Sequence, residues 1–159
     1  MKVQVLPLAL MPKRNPQHIL IVTGGRDFSD EMAEYIINVA ITGYRYWHGI
    51  DLHLFYGCAK GADTLCKDAA ERLNGILLHP FPVDWEKAKI ELGPGWKKAG
   101  HLRNKKMIDA ALKRFKPKKG DTITCFAFKD DIELKSGTRN AARYARKKGI
   151  PTFVISRFV

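Results

Sequence analysis

Three apolar, strand-like runs in this chain each end in a glycine-bearing loop that opens directly into a helix-like segment. Ile19-Leu20-Ile21-Val22-Thr23 runs into Gly24-Gly25-Arg26, and Leu52–Tyr56 runs into Gly57-Cys58-Ala59-Lys60-Gly61-Ala62-Asp63. The run at 123–128 leads to a loop closing on Ser136-Gly137-Thr138. In an α/β sheet such loops gather at the carboxyl ends of the strands, where these folds bind ligands. Glycine lets a ligand approach the main chain, and the unpaired N–H groups of a helix start attract phosphate. Three loops of this kind predict a nucleotide-shaped site.

The rest of the chain extends the alternation. Strands are expected at 18–23, 52–56, 76–81, 121–128 and 152–156, and helices at 29–47, 62–73, 101–115 and 138–148. Ser29 or Asp30 is placed to cap the first helix, with Glu31 and Glu34 in the turn that the helix dipole favours for acids. Ile36, Ile37, Ala40, Ile41 and Tyr44 recur at helical spacing and are expected to face the sheet. Asn74-Gly75 stops the second helix and Gly149 the last. Residues 82–100 hold Gly93-Pro94-Gly95, Gly100, Trp85 and Trp96 and read as one irregular loop, a length that tends to be functional inside a compact domain. The alternation predicts an α/β fold, a three-layer α/β/α sandwich around a mostly parallel sheet of about five strands. Residues 1–17 read as a leader or extra edge strand, and 18–159 as a single domain.

At 159 residues, 45% hydrophobic and 28% charged, the chain reads as one soluble domain with a sizeable core. No apolar stretch approaches the roughly 20 residues that span a bilayer. The stretch at 3–11 is short, holds Gln4 and Pro7, and is followed rather than preceded by Lys13 and Arg14, unlike a secretory signal. Cys58, Cys66 and Cys125 form no metal pattern, and their odd number fits reduced thiols in a cytoplasmic setting. All three read as small packing residues, with Cys58 the one placed to meet a ligand. The five histidines show no metal-ligand spacing. His53 is expected to pack within its strand and His79, before Pro80, to lie near a pocket rim. No nucleophile–base arrangement is visible, and neither metal nor cofactor is expected.

Charge divides the chain. Residues 1–96 hold 10 Lys/Arg and 11 Asp/Glu, whereas residues 97–159 hold 18 Lys/Arg and 5 Asp/Glu. The excess suits an anionic partner such as nucleic acid, free nucleotide or an acidic protein, or a solvated basic face.

Each candidate site residue has a plain structural alternative. Gly24 and Gly25 free the backbone or simply turn it. Arg26 is suited to a bidentate phosphate contact and Asp27 to a ribose hydroxyl. Gly57, Gly61, Ala62 and Asp63 stand where a phosphate-binding loop would, without its Gly-Lys-[Ser/Thr] ending, so P-loop ATP hydrolysis is not supported. Asp63 reads first as a helix cap, otherwise as a ligand contact. Trp85 is a base-stacking surface or a packing anchor. Arg103 and Asn104 open a basic helix, and Arg103 either reaches an anion or faces water. Ser136, Gly137 and Thr138 begin the last helix as an anion site, as caps, or as both. Arg139, Arg143, Arg146, Lys147 and Lys148 give that helix a basic face.

Taken in order, several segments resemble the SLOG superfamily, which contains the Lonely Guy phosphoribohydrolases and the DNA-processing protein A family. They are residues 21–28 (Ile-Val-Thr-Gly-Gly-Arg-Asp-Phe), 57–63, Phe81-Pro82-Val83-Asp84-Trp85, residues 100–107 and Ser136-Gly137-Thr138-Arg139, with Gly149-Ile150-Pro151 after the last helix. The likeness is nearest to the YspA-like branch, small proteins of bacteria and phages. The resemblance implies a Rossmann-like fold, a nucleotide-derived ligand at the strand ends, and a homodimer or higher homo-oligomer. The hydrolase branch carries Gly-Gly-x-Gly-Thr-x-x-Glu, and aligning Gly137-Thr138 with it puts Ala141 at the glutamate. Phosphoribohydrolysis by that route is therefore not expected.

Three functions follow as expectations. The first is binding of a nucleotide-like ligand for sensing, sequestration or presentation. The second is single-stranded nucleic-acid binding through 97–159, as the DNA-processing protein A likeness implies. The third is nucleotide N-glycosidase activity through another carboxylate, Asp27 or Asp63.

Overall fold

The computed structural model describes residues 15–49 and 51–158. The expected leader or edge strand lies outside these residues but for its last three. The strands are β1 (His18–Gly24), β2 (Leu52–Tyr56), β3 (Ile76–Pro80), β4 (Thr122–Phe128) and β5 (Thr152–Ile155). They form one sheet in the order β3-β2-β1-β4-β5, with every neighbouring pair parallel. The chain builds outward from β1 to β3, then returns to lay β4 against β1's other edge, in register from His18↔Thr122 to Gly24↔Phe128. That reversal opens a crevice at the carboxyl ends of β1 and β4.

The period of two in β1 assigns its side chains to two cores. Leu20 and Val22 pack under α1 (Glu31–His48) and α2 (Ala62–Glu71), which contribute Ile37, Ile41, Cys66 and Ala69. Ile19 and Ile21 pack under α4 (Ala99–Arg114) and α5 (Gly137–Lys147), which contribute Met107, Ile108, Ala141 and Ala145. Both faces of β1 are closed, and Ile19 to Val22 have no exposed surface. The result is the expected three-layer, Rossmann-like α/β/α sandwich.

Residues 82–100 depart from the expected loop. Asp84 Oδ1 accepts the Lys87 N–H at 3.0 Å and starts α3 (Trp85–Leu92). A 3₁₀ segment, Gly93–Lys98, then runs into α4, which begins at Ala99 rather than at 101. Pro94 sits in the first turn of the 3₁₀ segment, where a missing N–H costs nothing. Ala88 is the one buried residue of α3, so no apolar stripe advertised a helix. Side chains cap the starts of α1 and α5 as well. Asp30, rather than Ser29, caps α1 by accepting the Ala33 N–H at 2.8 Å, and Ser136 caps α5 by accepting the Arg139 N–H at 3.1 Å.

His53 is buried in β2, with its Nδ1 2.8 Å from His79 Nε2 on β3. Burial pushes the His53 pKa down to about 4, so the pair is neutral and shares one N–H. His79 also stacks on Phe55 at 4.3 Å; it serves the packing of β2 on β3 and is not part of the cavity wall described below. Cys66 and Cys125 are buried and Cys58 is exposed. Among the described residues no helix is long and apolar enough to cross a membrane.

Candidate functional site: a cationic cavity at the strand ends

The loops leaving β1, β2, β3 and β4 enclose a cavity of about 940 Å³ over the crevice. Gly24, Gly25, Arg26 and Asp27 line it from the β1 loop, and Asp63 from the start of α2. Trp85, Arg103 and Asn104 close it from α3 and α4, and Ser136, Gly137 and Thr138 from the start of α5. These eleven expected residues converge from five segments. The other three, Gly57, Gly61 and Ala62, stand behind the wall.

Their role is to let loops touch. A Cβ on Gly61, whose φ is +87°, would lie 2.5 Å from the Gly25 carbonyl oxygen, and one on Gly24 would lie 2.2 Å from the Ala62 Cβ. The Ala62 N–H donates to that same Gly25 carbonyl at 3.2 Å. The β1 and β2 loops are thus interlocked main chain to main chain, which only residues without a side chain permit. At Gly57 a Cβ would meet Arg103 Cζ at 2.7 Å and Asp63 Oδ2 at 2.9 Å.

Asp63 does not cap α2. The cap position is Gly61, with no side-chain bond, and Asp63 Oδ2 instead accepts the Ala59 N–H at 3.3 Å, back in the loop. The carboxyl is 4% exposed, and its Oδ1 is buried without a hydrogen-bond partner. Burial raises its pKa to about 6 against the opposing pull of the Ala59 N–H, the Arg103 charge and the Gly57 N–H.

Arg103 is half-buried and bonded into the wall rather than extended into solvent. Its Nη1 donates to the carbonyls of Gly57 and, at 2.9 Å, Phe81, and its Nε donates to Asn104 Oδ1 at 2.8 Å. It straps the exits of β2 and β3 together and places a half-buried positive charge in the wall. Burial draws its pKa down, with Asp63 acting against that pull. Trp85 lines the cavity and meets the Trp96 ring edge-to-face at 5.8 Å.

Three cations that no motif marked also line the wall: Lys60, Lys97 and Lys129. Lys60 lies inside the Gly57–Gly61 loop and Lys129 is the first residue past β4, so position alone could have marked both. Lys97 stood within the misread loop. With Arg26 and Arg103 they outnumber Asp27 and Asp63, giving a cationic cavity onto which the amino end of α5 opens. Arg157 was also unanticipated. It donates to the Asp27 carbonyl at 3.1 Å, pairs with Asp130 and Asp30, and lies 4.9 Å over the Phe28 ring. That network fixes the β1 loop against the β4 loop from behind.

A smaller cavity of about 320 Å³ adjoins the first between α4 and α5, sharing His101 and Asn104 and adding Lys105, Arg143, Tyr144 and Lys147. Among the described residues no group of three or more His, Cys, Asp or Glu is arranged to hold a metal. Compared with known protein families, curated proteins and solved structures, the chain matches no family model, no curated protein and no solved structure.

Proposed function

We propose that the cavity binds a nucleotide or nucleotide-derived anion, for sensing, sequestration or presentation rather than turnover. The observation that carries this reading is the convergence of Arg26, Lys60, Lys97 and Lys129 with the N-terminus of α5 over the switch point of the sheet. A helix start and four cations around a concave surface favour a phosphate, and Trp85 offers an adjacent face for a base. The resemblance of the loops to the SLOG superfamily supports the same reading. Against hydrolysis stands Ala141. It occupies the aligned glutamate position, is 2% exposed, and has no group to move a proton.

A thermal-shift panel of nucleotides, ADP-ribose-type compounds and cyclic dinucleotides tests the reading. A ligand at about 100 times its Kd raises stability by about 2.7 kcal/mol. Arg26 is exposed, so Arg26→Ala should reduce the shift without lowering the unliganded midpoint. Arg103→Ala should lower that midpoint, because it releases two backbone carbonyls. No shift with any phosphate-bearing small molecule would overturn the reading. The α4/α5 groove favours a second one, in which a single-stranded nucleic acid continues from the cavity past Lys105, Arg143 and Lys147.

A further inference from the structure

Asp63 has the property a ligand-reading group needs and a structural group should lack: a buried oxygen left without a donor. Buried carboxylate oxygens are costly unless hydrogen-bonded. The surrounding donors do not reach this oxygen: the Ala59 N–H goes to Oδ2, the Gly57 N–H favours the charged carboxyl without satisfying Oδ1, and Nε and Nη1 of Arg103 are bonded to Asn104, Gly57 and Phe81. Asp63 nevertheless forms part of the cavity wall, so a donor on a bound molecule can complete it. Cations and a helix start elsewhere in the wall would fix an anionic group, leaving a neutral donor for the carboxylate. A molecule with phosphate at one end and hydroxyls a few bonds away is a sugar phosphate.

We propose that Asp63 Oδ1 accepts a sugar hydroxyl of the bound ligand, so that the cavity selects ribose phosphates over their deoxygenated counterparts. This rests on the nucleotide-binding reading and narrows it. Asp27, the other carboxylate of the wall, is exposed and folds back over Gly25; it is already solvated and gains little from the same contact. The hydroxyl bond to Asp63 is charge-assisted and therefore depends on ionisation of the carboxyl. The groups acting on that ionisation are the Ala59 N–H, Arg103 from α4 and the Gly57 N–H, all favouring the charge against burial; on α2 the Cys66 thiol faces it and is kept protonated by its own burial and the Asp63 charge. Arg26, from the β1 loop, acts in turn on Arg103. With the carboxyl protonating near pH 6, selectivity for ribose should fade below that pH.

The test is calorimetric titration of the intact chain with the four ribonucleoside 5′-monophosphates, their 2′,3′-dideoxy counterparts and inorganic phosphate. At pH 7.5 at least one ribonucleotide should bind about tenfold or more tightly than its dideoxy partner. Asp63→Asn should abolish that ratio, while inorganic phosphate still binds, no more weakly than to the wild type, because a negative charge has left the wall. The wild-type protein supplies an independent readout should the variant misfold. Between pH 7.5 and 5 the ribo-to-dideoxy ratio should shrink, and the phosphate's own protonation cancels within it. Equal affinities for the paired nucleotides, or a ratio unaffected by both Asp63→Asn and pH, would overturn the proposal and leave the nucleotide reading standing. Failure of every nucleotide and of phosphate to bind would remove both.

Discussion

At the scale of single residues, the chemistry of this site is set by desolvation. Asp63 and Arg103 lie far apart in the chain, yet each is shifted first by burial, with the other's charge acting against that shift. The residue types were legible in the sequence as Gly-Ala-Asp and Arg-Asn; their states were not, because no local pattern records which oxygen the fold will leave unpaired. The buried carboxyl also has a stability consequence. Its folded pKa of about 6 lies above the unfolded value of 3.8, so the folded state holds this proton more tightly. Stability from this group is therefore full below about pH 4 and is lost as pH rises through 6. Each pKa unit corresponds to about 1.4 kcal/mol, so ionised Asp63 costs the fold on the order of 2–3 kcal/mol at neutral pH. Asp63→Asn should raise the unfolding midpoint at pH 7.5, and denaturation curves should show that gain vanishing by about pH 4. A variant that is no more stable at pH 7.5 would mean that the carboxylate is satisfied in the free protein.

Among elements, the strands were the easiest to read and the β3–α4 connection the hardest. β1 and β2 announce themselves as unbroken apolar runs because both faces of a central parallel strand are covered; β2 is buried at all five positions. By contrast α3 presents its length to solvent and carries Gly93-Pro94-Gly95 just beyond its end, so every local cue argued for a loop. Only the Asp84 cap argued otherwise. The loops show a similar limit. The sequence suggests Gly57 and Gly61 as places where a ligand approaches the main chain, yet what approaches in the fold is another loop or a side chain. That contact makes a sharp prediction, because Gly61 and Gly49 both have strongly positive φ, +87° and +80°, while only Gly61 faces backbone within 3 Å. A non-glycine residue in such a conformation costs about 1–3 kcal/mol. Gly49→Ala should show that cost alone. Gly61→Ala should lower stability further and weaken ligand binding, since the β1 loop must move away to admit the Cβ. Equal losses for the two variants, measured by urea denaturation, would mean that the interlock of the loops contributes nothing.

Across the whole molecule, the division of charge along the chain becomes a division between layers. Helices α1 and α2, on one face of the sheet, carry five acidic and two Lys/Arg residues; α4 and α5, on the other, carry nine Lys/Arg and one acidic residue. Because the sheet turns back on itself after β3, the helices encoded late in the chain land on the same side. A basic layer of this kind adjoins the cavity through His101 and Asn104, and it separates the two binding readings by their response to salt. A strand tracking the α4/α5 groove displaces counterions from each phosphate it presents, with log K falling by about 0.7 per contact per decade of salt. Three contacts, at Lys105, Arg143 and Lys147, would give a slope of about −2. A mononucleotide held in the cavity makes one such contact and should show a slope of about −1 or shallower. The paired substitution Lys105→Glu and Lys147→Glu should then weaken short single-stranded DNA by orders of magnitude and flatten its salt dependence, while mononucleotide affinity stays within a few-fold of wild type. If both ligands weaken together, the two cavities act as one site and the small-molecule reading must be extended along the groove. If neither changes, the basic layer is a solvated face, and the cavity alone carries the binding.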